Sequence, residues 1–408
     1  MDIINNIAPS KKEITKVNSL ISSFVKKLKQ KIKDAKLELG GSMAKNTWLA
    51  GDHDIDFFIK FPYNKYKDKD ISKILQSWLK GIKFTIVHGS RDYLQIRQGN
   101  YLFELIPVLD IKNSKQAVNI TDVSPLHVAW VRANNKNPEQ IRLTKAFLKA
   151  NNLYGAESYI SGFSGYITEA LTIYYKTFMN LVKAAVKWQH PLVIDPSKYY
   201  KNKNEALRNL NKDKLASLVL IDPVQASRNA AAALSDEKFH KFIELCKAYL
   251  KEPHEEFFLE KKFNLNELKN KYKNYDLIVL NVKPLAGKED IVGAKLLKAF
   301  NYIKTKLIEY GFKIKDANWY WQKEAYFYYM LNKEKLSKEI IHYGPPKDFK
   351  ENVIKFKQKW KNYKIMQDNY KVYVKLKRKY TKANDYVKSL LKDKYSRNLV
   401  KGVKIKKI

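Results

Sequence analysis

The chain has 408 residues, more than one hydrophobic core usually serves, and 45% of them are hydrophobic, which excludes wholesale disorder. Lysine and arginine total 78 against 41 acidic residues, and the net charge of +37 favours a polyanionic partner, either nucleic acid or an anionic membrane surface. No run approaches the roughly 18 apolar residues of a membrane span, and Cys246 alone supports neither an intramolecular disulfide nor a cysteine-based zinc site.

Ser10-Lys11-Lys12-Glu13 has capping-box spacing, and Ile14, Val17, Leu20, Ile21, Phe24, Val25, Leu28 and Ile32 then recur at helical period. The N-terminal stretch therefore reads as one long amphipathic helix rather than an export leader, and a cytoplasmic protein is expected. Leu37 and Leu39 alternate with polar residues as a short strand ending at Gly40-Gly41-Ser42, where a second helix is expected to start and to stop near Gly51. A strand over 54–61 and an amphipathic helix over 71–79 follow. Alternation over 92–98 and 101–108 on either side of Gly99-Asn100 signals a hairpin. That order describes a small α/β domain. Helical periodicity dominates next, at 139–150, 165–185 and 236–250. From about residue 263 the pattern predicts a strand at 276–282, a helix at 294–310, an aromatic-rich strand at 320–331 and another strand at 370–376. Residues 371–408 carry fourteen basic side chains against Asp385 and Asp393. Three regions are expected: 1–113, 114–255 and 256–408.

The informative stretch runs Gly41-Ser42-Met43-Ala44-Lys45-Asn46-Thr47-Trp48-Leu49-Ala50-Gly51-Asp52-His53-Asp54-Ile55-Asp56. Residues two apart on a strand share a face, so Asp54 and Asp56 project side by side and repel unless divalent cations sit between them. Glu104 lies in the apolar run Phe103-Glu104-Leu105-Ile106, where a carboxylate is costly without a partner. Set beside the first strand, it completes a three-carboxylate cage for two Mg2+ ions, one activating a terminal hydroxyl and one steadying a departing pyrophosphate. Asp110, next to Ile111, is the rival third carboxylate. Gly40 and Gly41 let backbone approach a phosphate, to which Ser42 can donate at a helix N-terminus. Gly-Ser alone is usually a turn, and Asp-x-Asp alone a solvated strand end. Gly-Ser, a short helix, Gly51 and Asp-x-Asp in sequence point far more specifically to nucleotidyl transfer.

That stretch resembles the signature of the DNA polymerase β-like nucleotidyltransferase superfamily, and Lys45-Asn46-Thr47-Trp48-Leu49 resembles the archaeal-type (class I) CCA-adding enzymes. Two later blocks resemble the same family, in its order. One is Arg142-Leu143-Thr144-Lys145-Ala146-Phe147-Leu148-Lys149 with Tyr154-Gly155-Ala156-Glu157 and Gly162-Phe163-Ser164-Gly165-Tyr166. The other is Asp222-Pro223-Val224 with Arg228-Asn229 and Ala231-Ala232. The likeness covers essentially the whole chain.

The resemblance implies an α+β protein with a polymerase β-like catalytic head, a helical middle and an α/β C-terminal region that binds tRNA. It implies addition of CMP, CMP and AMP to a tRNA 3′ end from CTP and ATP, without a template, with two Mg2+ ions. The partner is then tRNA through its acceptor stem and elbow, not a membrane, and the enzyme a homodimer. Position by position, Asp54, Asp56 and Glu104 fall on metal, the last in the register of the family's third carboxylate. Ser42 and Lys45 fall on triphosphate, and His127, Lys145 and Tyr154 on further triphosphate or sugar contacts. Arg228 falls on the base-reading arginine. Cytosine and adenine both offer a ring-nitrogen acceptor and an exocyclic amino donor, which a guanidinium and an RNA phosphate together satisfy. This chain has Glu104 where the family usually has Asp, and Lys45 and Ser161 where arginine is common. Without the resemblance, Arg142 and Lys145 read equally as a solvated helix face, Tyr154 as a helix closure and His127 as a satisfied buried histidine. The rival functions are another nucleotidyltransferase, such as a poly(A) polymerase, and a catalytically dead RNA-binding relative. Retention of all three carboxylates argues against the dead relative.

Overall fold

In the computed structural model, which describes residues 3–260, 263–322 and 324–406, the chain divides into two units, Met1–Lys261 and Lys262–Ile408. The first unit begins with α1 (Ile3–Ile7) and α2 (Lys11–Lys29), separated around Pro9. Ser10 caps α2 by accepting the Glu13 amide. The Glu13 carboxylate does not close a capping box; it accepts the Gly51 amide at 2.9 Å. There follow β1 (Lys36–Leu39), α3 (Gly41–Ala44), β2 (Asp54–Pro62), α4 (Tyr63–Tyr66), α5 (Ile71–Trp78), β3 (Thr85–Val87), β4 (Tyr93–Gln98) and β5 (Tyr101–Asp110). The strands form one sheet in the order β1-β2-β5-β4-β3, in which β2 and β5 run parallel.

Alternation along β2 decides what each face does. Ile55, Phe57, Ile59 and Phe61 enter a core with Phe24 and Leu28 of α2, Leu75 of α5, and Phe103 and Leu105 of β5. Phe24 and Phe103 stack with ring centroids 3.9 Å apart. Asp54 and Asp56 are thereby turned to the opposite face.

The remainder of the first unit contains α6 (Ser124–Asn134), α7 (Pro138–Ala150), α8 (Gly165–Tyr175), α9 (Phe178–Ala185), β6 (Leu192–Ile194), α10 (Lys203–Asn209), β7 (Leu218–Asp222), β8 (Gln225–Asn229) and α11 (Asp236–Lys251). It has its own core, in which Phe147, Phe163, Leu171, Phe178, Phe239 and Phe242 meet. The region expected to be helical thus also contains a three-stranded sheet, ordered β6-β7-β8. The single helix expected over 165–185 is two. Lys176 turns left-handed at φ 71°, and Thr177 caps α9 by accepting the Asn180 amide. The helix expected to run from Gly41 to Gly51 is one turn, α3, after which Asn46 stands at φ 54°.

The second unit contains α12 (Leu265–Lys271), β9 (Asp276–Lys283), α13 (Glu289–Tyr310), β10 (Ile314–Trp321), β11 (Ala325–Leu331), β12 (Glu339–Pro346), α14 (Lys350–Lys359), β13 (Ile365–Gln367), β14 (Lys371–Lys377), α15 (Ala383–Leu390), α16 (Lys394–Leu399) and β15 (Gly402–Lys406). The aromatic strand expected over 320–331 is a hairpin joining β10 to β11. One antiparallel sheet runs β10-β11-β9-β15, and its core includes Leu296, Ile303 and Leu307 of α13. A smaller sheet, β12-β14-β13, packs Val372 and Val374 against Phe356 of α14. Among the described residues no helix is long and apolar enough to cross a membrane.

Candidate active site

The parallel register of β2 and β5 places Asp56 opposite Glu104, and Asp54 opposite Leu102. On its other side β5 pairs with β4, where Gln95 lies opposite Glu104 and donates to its Oε1 at 2.7 Å. Burial raises the Glu104 carboxyl to about 7, and the Asp56 charge beside it works in the same direction. Asp56 is raised as well, by burial above all, with Lys45 pulling the other way. Asp54 occupies the exposed start of β2, one pleat from Asp56 on the same face. Among the described residues the three are not gathered into a finished metal cage. Asp110, the rival third carboxylate, sits at the other end of β5 opposite Pro62. It is paired there with Lys36 at 3.0 Å and Lys60 at 3.1 Å, about 20 Å along the strand from Glu104.

The Gly-Ser turn is built against this pair. Gly41 holds φ +58°, and a Cβ there would lie 1.7 Å from an Asp56 carboxylate oxygen. Only glycine meets both conditions. Gly40 is pressed less closely onto the Phe58 ring, where a Cβ would come to 2.9 Å. Ser42 is half-buried beside Gly41.

Lys45 ends that turn, and its Nζ lies 2.6 Å from Glu169 Oε2. Glu169 is fully buried on α8; its Oε1 also accepts from Thr47 Oγ1 at 2.6 Å and from Lys145 Nζ at 3.0 Å. Lys145 donates further to the Thr47 carbonyl and hydroxyl, at 3.1 and 3.0 Å, so all three of its protons meet protein acceptors. Burial lowers the Lys145 ammonium from its ordinary value. Burial pushes Glu169 upward, but Lys145 and Lys45 outweigh it and its net shift is down. Arg142 grips the same segment, through Nη2 to the Asn46 carbonyl at 2.8 Å and Nε to the Trp48 carbonyl at 3.1 Å. Lys149 completes the row at 2.9 Å from Asp52, its ammonium also 5.5 Å from the centre of the Tyr154 ring. Arg142 and Lys145 are therefore not a solvated helix face: both are buried, and with Lys149 they clasp the segment joining the Gly-Ser turn to Asp54.

A second buried carboxylate collects the other candidates. Asp222, at the end of β7, accepts from His127 Nε2 at 2.9 Å and Arg228 Nη1 at 2.6 Å on one oxygen. The other oxygen accepts the Tyr166 hydroxyl at 3.2 Å and the Val224 amide at 3.1 Å. His127 and Tyr166 lie ring to ring, centroids 4.0 Å apart. Although burial pushes Asp222 upward, the histidine and arginine hold it below the usual carboxylate value. Tyr154 bridges to Phe163 rather than closing a helix. Its hydroxyl leaves no room for a Cβ on Gly165, and burial raises its phenol. Ser161 turns at φ 51°, its hydroxyl on the Ser158 carbonyl at 3.0 Å.

Sequence reasoning missed Glu169 and gave Asp222 no role, although these two carboxylates organise the candidates. Tyr166 and Glu169 lie three residues apart on α8 and so share a face, one serving Asp222 and the other Lys45 and Lys145. The signal was present. Glu169 stands in the apolar helix Gly165–Tyr175, where the argument that singled out Glu104 applies equally.

The parallel strand pair bearing Asp56 and Glu104, behind a Gly-Ser turn, defines a nucleotidyltransferase with a polymerase β-like head. Residues 21–116 match the nucleotidyltransferase domain family, 139–259 the tRNA nucleotidyltransferase second domain, and 277–405 the CCA-adding enzyme C-terminal domain. The chain belongs to the CCA-adding enzyme family: the CCA-adding enzyme of Nanoarchaeum equitans is 35% identical over 370 residues, 88% of each chain. That of Saccharolobus islandicus is 29% identical over 404 residues, 97% of this chain and 92% of its own. Among solved structures, Cid1, an RNA terminal uridylyl transferase, superposes with a TM-score of 0.51 at 14% identity, over 64% of this chain and 97% of its own. At that identity the likeness is one of fold.

Proposed function

We propose that this chain builds the CCA end of tRNA, adding CMP, CMP and AMP from CTP and ATP with release of pyrophosphate and without a nucleic-acid template. The observation that carries the reading is the Asp56–Glu104 pair, set against the Gly-Ser turn in a chain related to CCA-adding enzymes over most of its length.

The residues present suit hard divalent cations. Asp56 and Glu104 offer only oxygens, and both are held above their ordinary values by burial, which a bound cation would reverse. Asp54, Asp56 and Glu104 would hold two Mg2+ ions; when bound, these stabilise charge on the attacking and leaving oxygens. The bond from the tRNA 3′-oxygen to the α-phosphorus forms as the α–β phosphoanhydride bond breaks. Ser42 and Lys45 meet the triphosphate from the turn. Lys145, as it stands, contributes positive charge and fixes Thr47 and Glu169; a direct phosphate contact requires it to release one of these. His127 and Tyr154 supply further triphosphate or sugar contacts. Arg228 presents its guanidinium, one-third exposed, to the incoming base.

The division into head 1–113, middle 114–255 and C-terminal region 256–408 belongs to the same reading, supported by separate cores for the head and the middle. So do cytoplasmic location, homodimer assembly and tRNA contact by the basic C-terminal region along the acceptor stem and elbow. The test is to offer purified protein a tRNA lacking its CCA end with each nucleoside triphosphate separately. Addition of two C residues from CTP, then one A from ATP, supports the reading. A homopolymer tail of A or U sinks it.

A further inference from the structure

The turn between β7 and β8 carries Asp222 on one side and leads into Arg228 on the other, yet its own backbone does little to fix it. Pro223 has no amide to donate, and the ladder is irregular, pairing Ile221 with Asn229 and Asp222 with Gln225. Beyond the Val224 amide on Asp222 at 3.1 Å, the bonds that hold the turn's carbonyls come from outside. The Tyr199 hydroxyl donates to the Pro223 carbonyl at 2.6 Å, and the Ser197 hydroxyl to the same oxygen at 3.1 Å. Ser114 donates to the Val224 carbonyl at 2.7 Å, and the Tyr200 hydroxyl to the Ala226 carbonyl at 2.9 Å. The donating segment is itself curled: Asp195 accepts the Tyr200 amide at 2.9 Å, and Lys198 lies at φ 55°. None of these donors falls within the motif blocks that resemble the family.

We infer that Tyr199 and Ser197, assisted by Ser114, are positioning residues for nucleotide choice, fixing the β7–β8 turn so that Asp222 aims the Arg228 guanidinium. The inference rests on the reading that Arg228 meets the incoming base. Asp222 is one peptide bond from Pro223 and holds Arg228 at 2.6 Å, so a shift of the turn is passed directly to the guanidinium. Hydrogen-bond readout tolerates displacements of only about half an ångström. Tyr199 is otherwise hard to explain: the residue is 47% exposed, and an exposed aromatic adds little to a core, while its hydroxyl makes one of the short bonds in the region.

The experiment uses the full-length protein with tRNA ending one or more residues short of CCA, and CTP, ATP and UTP as separate substrates. Tyr199→Phe, Ser197→Ala and the pair are compared with Ser197→Thr, which keeps the hydroxyl. KM and kcat for each nucleotide, tRNA affinity and thermal unfolding are measured. For the pair, KM for CTP and ATP should rise roughly three- to tenfold, and discrimination against UTP should weaken. kcat at saturating CTP should change less than KM, tRNA affinity should hold, and Ser197→Thr should restore the parent behaviour. A lowered melting temperature with unchanged nucleotide KM and choice overturns the inference, because the bonds are then only structural. An effect confined to tRNA affinity overturns it too. Arg228→Ala, run alongside, separates the two readings. If it alters choice and the pair does not, only this inference fails; if it leaves choice unaltered, the base-reading assignment fails and takes the inference with it.

Discussion

Asp56 and Glu104 stand opposite each other on the parallel strands β2 and β5, and burial together with the neighbouring Asp56 charge holds the Glu104 carboxyl up at about 7. Two carboxylates so placed cannot both ionise without cost. Gly41, whose backbone closes over Asp56, leaves that side chain no room to swing toward it. The geometry is therefore fixed by the sheet and the turn together. A divalent cation relieves the repulsion that protonation of one carboxyl otherwise relieves.

From this follows a test of the ligand set. Asp54→Ala and Asp56→Ala should abolish nucleotide addition, by at least about a thousandfold in kcat, while tRNA binding persists. Glu104→Gln should be nearly as inactive, since the amide keeps the size and loses the charge. Asp110→Asn loosens only the surface pairs with Lys36 and Lys60 and should retain near-normal turnover. Steady-state addition at saturating Mg2+ decides the point, and the reverse pattern would move the third ligand to Asp110.

The raised Glu104 carboxyl makes cation binding depend on pH. Its ordinary value is 4.5 and its value in the fold about 7, so the folded chain holds this proton more tightly than the unfolded one. That advantage is present at low pH and is lost as pH rises through about 7. The ionised pair is what a cation binds, so Mg2+ affinity should climb about tenfold per pH unit for each proton displaced, then level above pH 7. Calorimetric titration with Mg2+ from about pH 5.5 to about pH 8 should show this slope in the parent and lose it in Glu104→Gln. An affinity flat with pH would mean that the pair is not where the cation binds.

The head was largely legible because its strands alternate cleanly: Ile55, Phe57 and Ile59 face the core, so the opposite phase at Asp54 and Asp56 had to face out. The structure pairs Glu104 across from Asp56, an arrangement periodicity could suggest but not establish. Helix α6 escaped notice because its buried residues, Pro125, Val128 and Val131, are interleaved with the polar face around His127. The β6-β7-β8 sheet has strands of three to five residues, too short for periodicity to register. Glu169 and Asp222 were hidden for a different reason. Each acts on residues that are distant in sequence, as Glu169 does on Lys45 at a separation of 124, and no local pattern records such a partnership.

Glu169 should be the residue whose loss is felt in stability and activity together. Glu169→Gln leaves the buried Lys145 and half-buried Lys45 without their counter-charge and should cost roughly 3–5 kcal/mol. Combining Glu169→Gln with Lys145→Met removes the more deeply buried of the two orphaned charges and should recover part of that stability. It should not recover activity, because Lys45 and the Thr47 segment lose their anchor. Denaturant unfolding and single-turnover addition, measured on the same preparations, distinguish this from a purely structural carboxylate, for which activity would return with stability.

Base reading and tRNA holding should fail in different ways, and the structure dictates which basic residues can separate them. Arg228→Ala should weaken CTP and ATP use, or admit UTP and GTP, with tRNA affinity little changed. In the C-terminal region Arg378 is a poor probe: Nη1 donates to the Tyr310 carbonyl at 2.6 Å, and the guanidinium lies 5.3 Å from the centre of the Tyr310 ring. Its loss would disturb packing as well as charge. Lys371 and Lys377, exposed at the two ends of β14, are the cleaner pair. Changing both to Gln should weaken tRNA binding and flatten its salt dependence, by about one unit of log-log slope for each phosphate no longer neutralised. Nucleotide choice should be untouched, because phosphate contacts carry no base information. Affinity measured across a salt series, beside four-nucleotide incorporation, tests both halves at once. If the lysine pair alters nucleotide choice, or Arg228→Ala lowers only tRNA affinity, the roles assigned to the two regions are reversed.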